Sequence, residues 1–475
     1  MKSPNLLRKI PSVGDLLESP PLKGLVERVS HNVVVDGVRG FLDEMRTEVQ
    51  QRASEFRVPP ISELAEHIAR RILEGEQPGL QPVINATGIL LHTGLGRAPL
   101  AEEAVKRIAA IARGYSNLEF NLETGQRSQR MAAVEGLLRQ VTGAEASLVV
   151  NNNAAATLLA LTAVAAGREV IVSRGQLVEI GGSFRLPDVM SVSGAILREV
   201  GTTNKTHPDD YERAIGEQTA ALLRVHTSNY RVVGFTSAVG LEELVRIGRK
   251  HDLPVIDDIG SGALVDFSSF GCGGEPLVRS SVTAGASLVL LSGDKLLGGP
   301  QCGILLGSKQ WIEPVRKHPL ARAVRVGKLT LAALEATLRL YRDPAIASRD
   351  VPLLRLVDTP LDNLKNRAER LAPQLAACDR IAQAEVCQEV SYLGGGSLPA
   401  EGLPTWCVAL TPADGALDPL AKALRKGTPA IVGRVQQDRL LLDLRTVFPG
   451  QDQQLVEAFE ALGGNDHTAQ MTIND

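Results

Sequence analysis

The chain has 475 residues, of which 44% are hydrophobic and 22% are charged, and its formal net charge is -3 at pH 7. This length can bury more than one core and predicts two or three domains. A net charge this close to zero excludes a general electrostatic attraction of polyanions to the protein. Any surface that binds nucleic acid must therefore be local.

Neither export nor membrane insertion is indicated by the sequence. No apolar run follows the charged first residues, and no apolar stretch is long enough to cross a bilayer. We therefore expect a cytoplasmic protein without a membrane partner. The cysteines form no CxxC pair, which favours reduced, buried thiols over disulfides or a zinc site. They are Cys272, Cys302, Cys378, Cys387 and Cys407.

Residues 1–78 show helical periodicity, with apolar side chains at Leu25, Val29 and Val33 and again at Leu64 and Ile68. We predict a small N-terminal helical domain here. Its acidic and basic residues are nearly balanced in number, so its charge does not indicate a phosphate-binding face.

Residues 79–345 alternate short β-branched runs with helical segments, which predicts a mostly parallel sheet with crossover helices. A smaller C-terminal α+β domain is predicted over 346–465, followed by a polar tail over 466–475. The predicted strands of the larger domain are Ser147–Val150, Glu169–Ser173, Ala221–His226, Pro254–Asp257, Ser287–Leu291 and Gly303–Leu306. Those of the smaller domain are Thr405–Leu410 and Arg439–Leu444.

Lys295 follows an apolar strand and stands among small residues in the segment SGDKLLGGPQ. A desolvated lysine at a strand end can form a Schiff base, and neighbouring glycines let a planar cofactor approach the backbone. The alternative is an ordinary surface-loop lysine. Ser292 could add a hydroxyl to a bound phosphate.

Three asparagines lead from the predicted strand at Val150 into a helix. Free amides at a helix start can bind an anion such as a cofactor phosphate, although asparagine is also a common helix cap. The cradle predicted in this way comprises Asn151, Asn152, Asn153, Ala154 and Ala155.

A third motif, Asp257-Asp258, ends a buried strand before a glycine turn. An acid at this position can keep a pyridine nitrogen protonated, whereas a metal site would need further ligands that are not nearby in sequence. The phosphate helix, the aspartate and the lysine occur in the order of pyridoxal-phosphate fold type I, the aspartate-aminotransferase-like α/β fold. The three motifs together predict pyridoxal 5'-phosphate as cofactor and no metal.

The chain resembles the bacterial selenocysteine synthase family over about residues 5 to 450. The segments that carry the resemblance include Ile84–Gly88, His92–Arg97, Val150–Ala156, Ser173–Gly182, Val200–Asn204, Val225–Tyr230, the Asp258 turn, the Lys295 loop, His318–Arg325 and Leu331–Tyr341. The family converts L-seryl-tRNA(Sec) to L-selenocysteinyl-tRNA(Sec) with selenophosphate, through a cofactor aldimine and a dehydroalanyl intermediate. The resemblance also implies that residues 1–78 form a tRNA-binding domain, and that the protein is a homo-oligomer of dimers assembled into a ring.

The resemblance implies roles for individual residues. Lys295 would form the aldimine, Asp258 would face the pyridine nitrogen and His226 would contact the cofactor. Arginines can hold a phosphate-like oxyanion through two parallel hydrogen bonds. The residues implied to hold the selenium donor are Arg97, Arg322 and Arg325, with Asp294 as a further active-site acid.

Two positions depart from the family pattern as we expect it. Gln176 stands where glutamate is more usual, and Cys302 where alanine is common. Gln176 cannot transfer a proton as a glutamate would, but it can orient a neighbour in the same way. We expect Cys302 to be a packing residue.

A related pyridoxal-phosphate lyase acting on a free amino acid or amino sugar acid is the alternative function. Such an enzyme needs an arginine for the free α-carboxylate, and Arg434 and Arg445 are the candidates. We interpret both as structural, because seryl-tRNA presents an ester instead. A tRNA-binding protein that keeps the fold without chemistry is a third possibility, which the presence of Lys295, Asp258 and Asn153 disfavours.

Overall fold

The computed structural model describes residues 7, 9–51, 57–76, 78–180, 184–227, 229–230, 232–394 and 397–463. The chain divides into two compact units, Met1–Pro82 and Val83–Asp475. The predicted polar tail at 466–475 and the motif residues Gly181, Gly182 and Ser228 lie outside the described residues. In the part of the chain that is described, no helix is both long and apolar enough to cross a membrane.

The first unit is helical, which confirms the prediction from its periodicity. Ser12 caps the first helix by accepting from the Asp15 amide, while the Asp15 carboxylate accepts from the Ser12 amide. The apolar faces of the helices form one core that includes Leu16, Val38 and Ile68. Its helices are α1 (Val13–Leu17), α2 (Pro20–Arg28), α3 (His31–Gln51) and α4 (Ile61–Gly75).

The second unit is built around a seven-stranded sheet in the order β2-β10-β9-β8-β7-β3-β6. Only β10 runs antiparallel to its neighbours, so the prediction of a mostly parallel sheet is confirmed. The strands are β2 (Ala146–Val150), β3 (Glu169–Ser173), β6 (Ile196–Val200), β7 (Thr219–Val225), β8 (Val255–Gly260), β9 (Leu288–Ser292) and β10 (Gly303–Gly307). A separate hairpin joins β4 (Glu179–Ile180) to β5 (Phe184–Arg185).

Helices lie before and between these strands, and most of them pack into one hydrophobic core with the sheet. Those before β8 are α5 (Glu102–Ala112), α6 (Ala132–Thr142), α7 (Asn153–Ala165), α8 (Leu186–Ser193), α9 (Pro208–Ala214) and α10 (Leu241–Lys250). Those after it are α11 (Val278–Ala284), α12 (Lys309–Lys317), α13 (Pro319–Ala323), α14 (Lys328–Leu340), α15 (Pro344–Asp350) and α16 (Pro352–Val357).

A second, five-stranded sheet has the order β1-β13-β14-β12-β11 and its own core. It contains β11 (Ile381–Gly394), β12 (Ser397–Pro412), β13 (Ala430–Gln436) and β14 (Arg439–Asp443), with α17 (Leu361–Ala376), α18 (Leu417–Lys426) and α19 (Asp452–Gly463). Its fifth strand, β1 (Val83–Ala86), comes from the start of the unit and pairs in parallel with β13. β1 therefore belongs to the smaller sheet, although it lies within the segment 79–345 that was predicted as the larger domain.

Candidate active site

A cavity of about 200 Å³ opens at the carboxyl ends of β7, β8 and β9. This is the edge at which open α/β sheets bind ligands. Eight of the predicted site residues line it, namely Arg97, Asn152, Asn153, Ala154, His226, Asp258, Ser292 and Lys295. Motifs that are far apart in sequence thus meet in one place.

Lys295 lies in the loop after β9 and is only 4% exposed. Burial lowers the pKa of its amine, and the positive charge of Arg97 lowers it further. Asp258, Asp294 and Glu275 act in the opposite direction. The net effect lowers the pKa of the amine, which is the direction that increases the neutral form able to attack a carbonyl group.

Asp258 is held at the end of β8 by three hydrogen bonds. Its Oδ1 accepts from Asn153 Nδ2 at 2.9 Å and from the Gly260 amide at 3.1 Å, while its Oδ2 accepts from Thr157 Oγ1 at 2.9 Å. Burial raises the pKa of this carboxyl, and the bonds from Asn153 and Thr157 oppose the shift. Thr157 was not identified from the sequence, because its position inside α7 resembles that of any helix residue.

The asparagines before α7 have different roles. Asn152 caps the helix, with its Oδ1 accepting from the Ala155 amide at 2.8 Å. The Asn153 side chain binds Asp258, as described above. Asn151 and Ala155 lie outside the described lining of the cavity, and the Asn151 amide donates to the Val324 carbonyl at 3.0 Å.

Arg97, Asp294 and Ser292 form a linked group beside Lys295. Arg97 Nη1 donates to Asp294 Oδ2 at 3.0 Å, and Ser292 Oγ donates to Asp294 Oδ1 at 3.0 Å. Arg97 adopts the left-handed backbone conformation, with φ of 63°. In this arrangement the Ser292 hydroxyl is directed to Asp294, whereas the sequence predicted a contact with the cofactor phosphate.

His226 lies just beyond β7, and its amide donates to the Asp258 carbonyl at 2.9 Å. Burial lowers the pKa of its ring to about 4. Its Nδ1 lies 3.9 Å from Oε2 of Glu275, whose side chain is 2% exposed. Glu275 is a buried acid that sequence reasoning missed, because nothing in its loop indicates proximity to His226.

Arg322 and Arg325 are not brought to this cavity by their own chain. Arg325 Nη1 donates to Glu119 Oε1 at 3.5 Å, and Glu119 also pairs with Arg127 and Arg130. Arg322 is exposed on α13. Neither arginine is among the described residues that line the cavity.

The two departures from the family pattern have structural explanations. Gln176 Oε1 accepts from the Val225 amide at 3.1 Å, a bond that a glutamate could also accept. Cys302 is fully buried, and burial raises the pKa of its thiol. A side chain on Gly293 would collide with the Cys302 sulfur, so this cysteine is packed tightly.

Arg434 and Arg445 are both occupied by the protein itself. Arg445 donates to the carbonyls of Leu356, Val357, Thr359 and Pro404 at 3.0–3.2 Å. Arg434 donates to the Val390 carbonyl at 3.0 Å and pairs with the carboxylates of Glu389 and Asp443. These contacts fit the structural interpretation of both arginines.

Comparison with known proteins identifies the family. A family model described as L-seryl-tRNA selenium transferase matches residues 83–448, and one described as selenocysteine synthase N terminal matches residues 7–46. The L-seryl-tRNA(Sec) selenium transferase of Moorella thermoacetica is 48% identical over 469 residues, covering 98% of this chain and 99% of that protein. The chain belongs to the L-seryl-tRNA selenium transferase family.

A second selenium transferase, from Nitratidesulfovibrio vulgaris strain Hildenborough, is 49% identical over 451 residues, covering 93% of this chain and 96% of that protein. Among solved structures, a D-glucosaminate-6-phosphate ammonia-lyase matches with a TM-score of 0.55 at 23% identity, covering 82% of this chain and 97% of that one. This likeness shows the fold alone. The fold is pyridoxal-phosphate fold type I, as predicted.

Pyridoxal 5'-phosphate is the cofactor of this selenium transferase family, and the Lys295 cavity fits it. The buried amine of Lys295 suits the cofactor aldehyde, and the buried carboxylate of Asp258 suits a protonated pyridine nitrogen. The start of α7, with Asn152, Asn153 and Ala154 in the cavity wall, offers backbone amides to a phosphate.

Proposed function

We propose that this chain converts L-seryl-tRNA(Sec) to L-selenocysteinyl-tRNA(Sec) with selenophosphate as the selenium donor. The proposal is carried by the placement of buried Lys295 and Asp258 in a single cavity. It is supported by the 48% identity to a selenium transferase over nearly the whole chain.

Three residues of the cavity have proposed roles in this reaction, namely Lys295, Asp258 and Arg97. Bound pyridoxal phosphate acts as an electron sink for the carbanion that forms at the serine Cα. Lys295 would hold the cofactor, and its amine would accept the serine Cα proton. Asp258 keeps the pyridine nitrogen protonated, while Arg97 contributes positive charge for the selenium donor.

The contacts of Arg434 and Arg445 support an ester substrate, because both guanidinium groups already bond to the protein itself. A lyase that acts on a free amino acid needs a cation for the α-carboxylate, and Arg445 directs its guanidinium to four backbone carbonyls. Arg434 already pairs with two carboxylates. Seryl-tRNA presents no free carboxylate, so it does not need either residue.

The proposal includes a cytoplasmic homo-oligomer, with dimers assembled into a ring. Arg322 and Arg325 support it, because both lie outside the cavity lined by Lys295 of the same chain. If a second subunit supplied Arg322 and Arg325, these residues would complete the anion-binding site beside Arg97. The N-terminal helical unit is proposed as the contact for the body of the tRNA.

The test is to supply the cofactor-loaded protein with selenophosphate and either seryl-tRNA(Sec) or free serine, and to analyse the aminoacyl product. We expect selenocysteinyl-tRNA from the charged tRNA alone. Lys295→Ala should abolish the product, whereas Lys309→Ala, at an exposed lysine of α12, should retain it. Turnover of a free amino acid with inert seryl-tRNA would instead assign the chain to the lyases.

A further inference from the structure

A second cavity, of about 280 Å³, opens beside the first at the carboxyl ends of β3, β6 and β7. Val225 and His226 belong to the walls of both cavities. We call the second one the threonine pocket, because its wall includes Thr202, Thr203, Thr206, Thr227 and Thr236. None of the functions assigned above uses it.

The wall of the threonine pocket is held together by backbone hydrogen bonds between two loops. The Ser237 amide donates to the Asn204 carbonyl at 2.9 Å, and the Thr206 amide donates to the Ser237 carbonyl at 2.9 Å. Asn204 Nδ2 donates to the Phe235 carbonyl at 2.7 Å. The loop after β6 and the segment around Phe235 therefore form one preorganised wall.

Phe235 adjoins the lining residue Thr236, but its own side chain lies outside the lining of the pocket and is directed away from the core. It is 89% exposed, and Lys205 Nζ lies 6.0 Å from the centroid of its ring. An exposed aromatic ring beside a lysine is the combination that binds unpaired nucleotides, since the ring stacks on a base and the ammonium meets the phosphate backbone.

The chemistry of the substrate explains why a nucleotide should lie there. Serine is joined through an ester to the terminal ribose of the tRNA, so a serine placed at Lys295 brings the 3'-terminal nucleoside into the adjoining space. Hydroxyl and amide groups such as those of Thr203 and Asn204 can bond ribose hydroxyls and base edges.

We propose that the threonine pocket binds the 3'-terminal nucleoside of the aminoacylated tRNA, with Phe235 stacking on the base of that nucleoside and Lys205 contacting a terminal phosphate. The inference rests on the proposed function, because it takes seryl-tRNA as the substrate. All tRNAs share this terminal nucleoside, so the pocket would not select among tRNAs, and other surfaces would make that selection.

The test compares the affinity of the cofactor-loaded protein for uncharged tRNA(Sec) with and without its 3'-terminal adenosine. We expect loss of the adenosine to weaken binding to the wild type about tenfold, as for loss of one stacked base. In Phe235→Ala the intact tRNA should bind about tenfold more weakly, and removing the adenosine should then have little further effect. Val192→Ala, at a residue that is 76% exposed on α8, is the matched control.

A second variant tests the phosphate contact. Lys205→Gln should reduce the slope of log affinity against log salt concentration by about one, because one fewer counterion is released. An unchanged slope would overturn the role of Lys205.

The stacking role of Phe235 fails if the adenosine effect is equally large in Phe235→Ala and wild type. It also fails if Phe235→Ala changes only the oligomeric state, because the exposed ring would then cover a second copy of the chain. Binding is measured without selenophosphate, so these outcomes are independent of whether selenium is transferred.

Discussion

Thr157 Oγ1 donates to Asp258 Oδ2 across 2.9 Å, joining the first turns of α7 to the end of β8. The start of α7, which we propose holds the cofactor phosphate, is thereby fixed to Asp258, which we propose faces the cofactor ring. The Thr157 hydroxyl and the Asn153 side-chain amide therefore connect the two proposed ends of the cofactor site.

Thr157→Val should weaken cofactor binding about tenfold. The hydroxyl lowers the pKa of the buried Asp258 carboxyl, so its loss leaves that carboxyl with less negative charge for the pyridine nitrogen. The dissociation constant can be measured by titrating the apoenzyme and following cofactor absorbance. Thr162→Val is the control, because its hydroxyl bonds only the Leu158 carbonyl in the same helix. Equal effects of the two substitutions would contradict the prediction.

Arg97→Gln and Asp294→Asn should shift the pH dependence of cofactor attachment in opposite directions. Arg97 lowers the pKa of Lys295 and Asp294 raises it. Attachment requires the neutral amine, so the rate profile should move to higher pH in Arg97→Gln and to lower pH in Asp294→Asn. The measurement is the rate at which the apoenzyme binds pyridoxal phosphate across a pH series. Shifts of the same sign would show that the two charges do not act on Lys295.

His226 should make the apoenzyme less stable in mild acid. Burial holds the pKa of its ring at about 4, below the 6.5 of an exposed histidine, so the unfolded chain binds the extra proton first. The neutral His226 ring therefore costs the folded state nothing above pH 6.5, and the free energy of unfolding falls as the pH is lowered from 6.5 towards 4.

Between pH 7 and pH 5 the loss is about 2 kcal/mol of unfolding free energy from His226 alone. His226→Gln should lack this component, whereas His251→Gln, at a half-buried histidine paired with Glu212, should keep it. Urea unfolding at the two pH values measures the difference. Identical pH slopes for wild type and His226→Gln would refute the assignment.

Arg445→Lys should destabilise the second unit by about 3 kcal/mol, because an ammonium cannot reach the four carbonyls that the guanidinium bonds. Arg425→Lys, at an exposed position of α18, should have little effect. Chemical denaturation followed by near-ultraviolet dichroism reports the loss. A stable Arg445→Lys variant with impaired turnover would instead indicate a substrate contact.

The strands were predicted most accurately from the sequence where both faces of the strand are buried. The prediction for β3 is correct to the residue, and β10 differs by one, since both are continuous apolar runs. β11 was missed because it alternates exposed and half-buried residues over much of its length. β6 is mostly exposed, so it lacks the apolar run of the other strands.

The site was predictable only in part, for a related reason. Motifs at strand and helix ends indicated Lys295, Asp258 and the start of α7, because the chain order of these elements is characteristic of the fold. The pairing of Arg97 with Asp294 and the approach of Glu275 to His226 depend on tertiary structure. No local pattern records which distant loops come together.

The pairing of β1 with β13 has a consequence for how the chain is made. Val83 is translated long before Ala430, its partner in the sheet. Pairing between such distant segments is slow and must wait until β13 has been translated. A nascent chain that stalls before β13 would leave β1 as an unpaired strand, open to chaperones or to aggregation. Closure of the smaller sheet thus requires that translation has passed β13.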